Sequence, residues 1–373
     1  MGEIGGVTIG LIVLATMTLA YGIWWLWWQL PKRQTDRLAL KIRDPKARAD
    51  VEDNIRKTIG QALGGVAVLI GAGFALFQFL QQQQAAHDLL ISNQVSKGFE
   101  QFASKEPLMR LGGIYALEGV MNGSEQYRMP VLEALCAFVR DNTIMLDQEK
   151  LDQRPTTEVQ AVLTVIGRRA DSSSGGIVNL ENARIAHAQL VDAHLQYAQL
   201  TGAKLGSADL SLADLHGAVL VKTDLNHSDL SGADLHGAHL DGTDLSGAHL
   251  NSANLRDALA YGAPINLTGA DLTAANLTGV NLTKAYLVGA NLTNAELMSA
   301  HLAGADLSLG IARNAYWTGA DLTGANLNGA DLTVTLNIDP ISQAQLDRAC
   351  GEGAKLPAGL TLKPCPETQS KAQ

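Results

Sequence analysis

Residues 233–247 read Ala233-Asp234-Leu235-His236-Gly237, Ala238-His239-Leu240-Asp241-Gly242, Thr243-Asp244-Leu245-Ser246-Gly247. A leucine returns every fifth residue. A small residue stands two places before it, and Asp, Asn or His usually stands one place before. With the leucine taken as the centre of a unit, centres fall at 180, 185 and so on to 265, then at 267, 272 and so on to 332. This is 32 units, 27 of them centred on Leu. A period of five fits neither a helix at 3.6 nor a strand at 2.0. A fixed self-similar period reads as a solenoid. Five residues supply one short extended piece and one corner, with the small residue and the Leu, two apart, facing inward together.

The A-(D/N)-L-x-x pattern resembles the pentapeptide-repeat family over all 32 units. The resemblance implies a mainly β fold, a right-handed quadrilateral β-helix with four pentapeptides per coil. The 32 units then make about 8 coils, a rod on the order of 40 Å long at the spacing of stacked strands.

Two irregularities interrupt the array. Centres step by two between Ile265 and Leu267, around Tyr261-Gly262-Ala263-Pro264, where proline cannot donate to a ladder and a bulge is expected. Ala312 and Trp317 occupy centres. A Trp overpacks a Leu-sized slot, so either that corner swells or Trp317 turns outward beside Tyr316 as a contact patch.

Working outward towards the N-terminus, Ile4–Leu30 holds no charged residue and ends in Trp24, Trp25, Trp27 and Trp28 followed by Pro31-Lys32-Arg33. That length crosses a bilayer, and indoles beside basic residues mark its interface. Met1-Gly2-Glu3 has no basic n-region, which argues against a cleaved signal peptide. Thr58–Leu80 is a second uncharged stretch, with small residues at Gly60/Gly64 and at Ala67, Gly71 and Ala75. Residues 1–84 are therefore expected to form a transmembrane hairpin, with spans of about 4–30 and 58–80 and a charged loop over 31–57. Residues 85–176 read as an α-helical capping module, with candidate helices over 92–104, 107–121, 129–140 and 157–169. Its stretch Arg110-Leu-Gly-Gly-Ile-Tyr-Ala-Leu-Glu118 resembles the helical module of membrane-anchored pentapeptide proteins. The β-helix occupies 177–338. After Leu332 the pattern decays into a cap helix over 341–349 and a tail, within 339–373. That end, with Cys350 and Cys365, also resembles the family's C-terminus.

The chain of 373 residues carries a net charge of -9. Within 180–337, 15 Asp and Glu face 6 Lys and Arg, so the acidity belongs to the repeats. No phosphate-binding loop, dinucleotide fingerprint, zinc-protease motif or nucleophile elbow is present. Catalytic, cofactor-binding and metal residues are accordingly none, cofactors are none, and the protein is read as not an enzyme. Cys136 reads as a buried core thiol; Cys350 and Cys365 pair only in an oxidising compartment. Eight of nine histidines lie in the repeats. His216 and His236, 20 apart, should stack one coil apart, with Arg256 next; without a third ligand they read as outward polar residues.

Asp precedes the centre at 209, 214, 224, 229, 234, 244, 271, 306, 321 and 331. Twenty-residue stacking gives carboxylate ladders 209/229, 214/234 and 224/244. Some members of the family imitate DNA charge in this way and bind DNA gyrase. The first reading is a membrane-anchored scaffold presenting an acidic rod to an unidentified protein partner; the alternative is a DNA-mimicking inhibitor of a gyrase-like enzyme. No direct nucleic-acid binding is expected, the lipid bilayer is the other partner, and oligomerisation stays open. The expected location is a bacterial inner membrane. The 9 basic residues of 31–57 place that loop in the cytoplasm and the repeats outside, with a cytoplasmic rod as the alternative.

Overall fold

The five-residue period closes a chain into coils because each unit turns a corner. Every corner residue two after the centre, from Asn182 to Asp257 and from Gly269 to Gly329, has a positive φ. Parallel bridges then pair residues one coil apart: Asp209 with Asp229, Asp214 with Asp234, Asp224 with Asp244. The separation is 20 residues until Asp244 pairs with Asn266, where it becomes 22. The computed structural model describes residues 3–38, 44–144, 153–169, 176–334 and 340–366, in two units, Met1–Leu90 and Ile91–Gln373. The repeats form a right-handed β-helix in the second unit.

Leu and Ala alternate along the inside and are almost all fully buried. The rarer Thr223, Ser228 and Thr243 in the small slot are buried too; their hydroxyls donate to the carbonyls of Leu200, Leu225 and Leu220. The sequence register needs one correction. Ile265 is not a centre. Tyr286 N–H donates to the Ile265 carbonyl as Asn291 N–H does to that of Ala270, so Ile265 fills the small slot of the Leu267 unit. The two extra residues sit at one corner, where Gly262 N–H donates to the Asp241 carboxylate and Tyr261 is 77% exposed.

Trp317 is 2% exposed, so it does not turn outward. The preceding unit carries Gly310 and Ala312, smaller than the usual Ala and Leu, in its two inward slots. Trp317 shares a buried cluster with Ile341 and Leu346 near the end of the rod.

Helices occupy both flanks: α1 Glu3–Leu38, α2 Pro45–Phe102, α3 Pro107–Gly123, α4 Glu125–Ile144, α5 Thr157–Gly167 and α6 Gln343–Leu346. The charged segment 31–57 is not the loop expected there. It is helical through residue 38 and again from residue 45, with 39–43 outside the described residues. Lys, Arg, Glu and Ala are strong helix formers. The ion pairs Glu52–Arg56 and Asp53–Lys57 are spaced i,i+4, and Pro45 takes a first-turn position. The expected boundary at 84/85 falls inside α2, and the candidate helix 92–104 is the last part of α2, which ends at Phe102. Within the first unit, Trp27 lies against Gly60, where an added Cβ would stand 2.7 Å from the indole. Lys32 and Arg56 lie over Trp28 and Arg33 over Trp25. In α2 the apolar residues of 66–80, among them Leu69, Ile70, Phe74, Phe77 and Leu80, are all exposed. An 18-residue window of this helix is long and apolar enough to cross a membrane, with none of it buried.

In the second unit α3, α4 and α5 share one core with the first coils, through Ile114, Leu117, Leu135, Leu163 and Ile166. The Arg110–Glu118 motif makes this arrangement. Gly113 lets the end of α2 approach so closely that any Cβ would collide with the backbone of Phe102. Arg110 donates to the Ser104 carbonyl and lies over Phe138. Glu118 holds Arg168 with two hydrogen bonds of 2.5 and 2.7 Å.

Candidate functional site

With the inside filled and both ends covered, the outward columns of the rod are its available surface. The residue before each centre is a turn-former first. Its side-chain oxygen accepts the backbone N–H two residues on, as Asp209 does from Ser211, Asp214 from His216 and Asp234 from His236. Asn266, Asn276 and Asn281 do the same for Thr268, Thr278 and Thr283. This Asx turn explains why Asp and Asn alternate freely at that position. The pattern was open to sequence reading through the same rule.

The carboxylate ladders expected at 209/229, 214/234 and 224/244 are present. They are relieved rather than free. Further up the rod Asn stacks on Asp and donates to it: Asn254 to Asp234, Asn266 to Asp244, Asn326 to Asp306. Lys204 stands 3.6 Å from Asp224. Burial pushes the Asp229 carboxyl up, but hydrogen bonds from Ser231 and the charge of His249 outweigh it and hold the group below the usual range. The Thr323 hydroxyl and amide do the same for Asp321.

Corners carry the long side chains. Tyr197 lies over Gly217 of the next coil, where a Cβ would stand 2.6 Å from the ring, and His227 lies over Gly247 in the same way. The predicted stack of His216 and His236 is present, with ring centroids 5.1 Å apart and planes 19° apart. Sequence reading missed Tyr197, which meets His216 edge-on at 5.3 Å. Arg256 follows, its carbonyl 2.9 Å from His236 Nδ1. Among the described residues no group of three or more His, Cys, Asp or Glu is placed to hold one metal ion. Cys136 is buried and free, its thiol pushed up by burial. Cys350 and Cys365 are joined in a disulfide.

The sequence matches the family model described as pentapeptide repeats, in eight copies that run from residue 178 to residue 333. Among solved structures the chain is similar to HetL, a pentapeptide repeat protein involved in heterocyst differentiation regulation, from the cyanobacterium Nostoc sp. strain PCC 7120. The identity is 32%, over 50% of this chain and 81% of that one, with a TM-score of 0.35. The chain belongs to the pentapeptide-repeat family. It is also similar to QnrB1, a plasmid-mediated fluoroquinolone resistance protein, at 20% identity over 48% of this chain and 88% of that one, TM-score 0.34. A pentapeptide repeat protein of the Arabidopsis thaliana thylakoid lumen shares 28% identity over 38% of this chain and 77% of that one, TM-score 0.13. No curated protein matches the chain.

Proposed function

We propose that this pentapeptide-repeat protein is a membrane-anchored, non-catalytic scaffold whose rod presents its outward columns to a protein partner. The observation that carries the reading is the apolar surface of α2, wholly exposed over residues 66–80, on the same chain as a rod with a filled interior and covered ends. Such a surface is stable in lipid and a liability in water. The uncharged stretch 4–30 with its tryptophans and basic flank supports a second span. The Cys350–Cys365 disulfide supports a rod on the oxidising side of the membrane, in agreement with a cytoplasmic location for the basic segment 31–57.

The test is fractionation followed by protease access. The full chain stays with the membrane pellet through an alkaline wash and leaves it only in detergent. Its rod is cut when protease is added outside spheroplasts. Release by the alkaline wash sinks the anchor, and protection of the rod sinks the topology. The second reading, a mimic of duplex DNA acting on a gyrase-like enzyme, rests on the carboxylate ladders. It requires that the purified protein inhibit supercoiling, and no effect at micromolar concentration removes it.

A further inference from the structure

The repeat places two imidazoles in a fixed relation that neither the anchor nor a protein partner requires. His216 and His236 follow the centres of successive coils at one corner. The backbone fixes their register: Gly217 N–H donates to the His236 carbonyl at 2.9 Å, and Tyr197 N–H to the His216 carbonyl at 2.8 Å. The rings are stacked, 5.1 Å between centroids and 19° between planes. His236 Nδ1 lies 2.9 Å from the Arg256 carbonyl oxygen. A carbonyl oxygen only accepts, so Nδ1 carries the proton and Nε2 of the neutral ring is left with a lone pair. A carbonyl partner on the second nitrogen is the arrangement that orients a metal-binding histidine and raises its basicity.

We propose that His216 and His236 form an open two-imidazole site for a late first-row divalent metal ion, Cu²⁺ or Zn²⁺. Imidazole suits both ions, and Cu²⁺ stands highest in the affinity order. Metal–nitrogen bonds of about 2.0–2.1 Å require the two nitrogens to approach to roughly 3 Å. The stacked rings, 5.1 Å between centroids, must therefore rotate to bring the two nitrogens together. Asp214 and Asp234 lie alongside and add negative potential. Their Oδ1 atoms accept the backbone N–H groups of His216 and His236 at 3.1 and 3.0 Å, and Asp214 Oδ2 accepts from Gln196 Nε2; the ligands of the proposed site are the two nitrogens, with water completing the shell.

The experiment uses the full chain, without an affinity tag, in detergent near neutral pH. CuCl₂ is titrated with calorimetry and electron paramagnetic resonance, and ZnCl₂ is used as competitor. The expected result is one ion per chain, with hyperfine coupling to two imidazole nitrogens, displaced by Zn²⁺. His216→Gln and His236→Gln each weaken binding by about tenfold or more and leave a one-nitrogen spectrum, whereas His239→Gln on another side changes nothing. Gln already stands in the same column at position 196, so these variants keep the coil; circular dichroism verifies it. A wild-type spectrum with one nitrogen or none, or equal affinity in wild type and the double variant, overturns the site.

Discussion

The two ends of the rod solve one problem in different ways. At the first coil, backbone groups that would pair with a preceding coil have no coil to meet. Folded helices supply substitutes. Arg184 N–H donates to Thr143 Oγ1 at 3.2 Å and His194 N–H to the Gly167 carbonyl at 2.8 Å. Arg140 and Arg169 donate to the carbonyls of Asn179 and His194. Gln160 copies a whole peptide group: its Oε1 accepts Gln189 N–H at 3.0 Å and its Nε2 donates to the Gln189 carbonyl at 2.8 Å. At the last coil the chain instead re-enters its own ladder. Cys350 and Lys355 pair with Asn326 and Asp331 at a separation of 24 residues. One glutamine again fills a gap, Gln345 Nε2 donating to the carbonyls of Trp317 and Ala320 at 2.6 and 3.1 Å. An open edge of unpaired groups invites pairing with other chains, and buried unpaired groups are costly. The first end has a module with its own apolar core behind its substitutes. The last has a four-residue helix, a disulfide and an indole. Solenoid coils interact only with their neighbours, so each end should open independently.

The largest expected effect breaks the weaker end. Trp317→Ala should destabilise it by about 3–5 kcal/mol, the range for emptying a large aromatic slot. In hydrogen exchange, protection should be lost from residues 312–332 and 341–356 while the first coils keep theirs. Equal loss at both ends would refute independent opening. Next comes the disulfide. Its partners are 15 residues apart, and a loop of that length contributes about 3 kcal/mol. Reduction should therefore free the tail and expose the ladder at Cys350. The first end has no such bond, since Cys136 is free, and should not respond.

These two predictions concern residues whose roles were only partly legible in the sequence. The five-residue period dictated the coil, the inward Leu and Ala and the stacking of Asp209 on Asp229, because stacking depends on spacing alone. For Trp317 the sequence leaves a swollen corner and an outward turn both open, because a Leu-sized slot says nothing of what surrounds it; its burial excludes the outward turn. The last rungs were missed although Ala354-Lys355-Leu356 repeats the motif. An excursion through α6 shifts their spacing to 24, and a fixed-period search stops at the first break. Gln160 and Gln345 carry no periodic signal, since a helical glutamine reads as surface until the edge it covers is in place. The His216–His236 stack was legible as a pair; the tautomer of His236 was not, because Arg256 acts there through its backbone carbonyl.

The surrogate glutamines offer a sharper comparison with a smaller effect. Gln160→Leu and Gln345→Leu each keep the side-chain bulk and remove the amide. Gln160→Leu strands two backbone groups at a partly solvated edge and Gln345→Leu three, the third being the Ser342 N–H that its Oε1 accepts, with an expected loss of about 1–2 kcal/mol each. Gln160→Leu should raise exchange at Gln189 and leave the last rungs alone; Gln345→Leu should do the reverse. A loss spread evenly along the rod would show that the caps act on the whole array.

Acid should separate the ends by the smallest margin. Asp331, 6% exposed, joins the last coils: Arg313 donates to it at 2.6 Å and Lys355 stands 3.7 Å away on the re-entering chain. Burial raises its carboxyl, but the Arg313 and Thr333 hydrogen bonds and the Arg313 charge outweigh it and hold the group at about 2, against 3.8 for an ordinary Asp. A depressed folded value means the carboxylate contributes stability above about pH 4 and loses it as pH falls through about 2. Solvent around Arg313 screens the pair, so the contribution is about 1 kcal/mol. The groups described as sealing the first end are a hydroxyl, a carboxamide, a peptide carbonyl and two guanidiniums, none of which changes charge in that window. Urea melts of wild type and Asp331→Asn should therefore differ at about pH 5 and converge near pH 2. A gap that persists unchanged at pH 2 would mean that Asp331 acts through its turn with Thr333, which Asn reproduces only in part, and not through the charge that ties the last coils together.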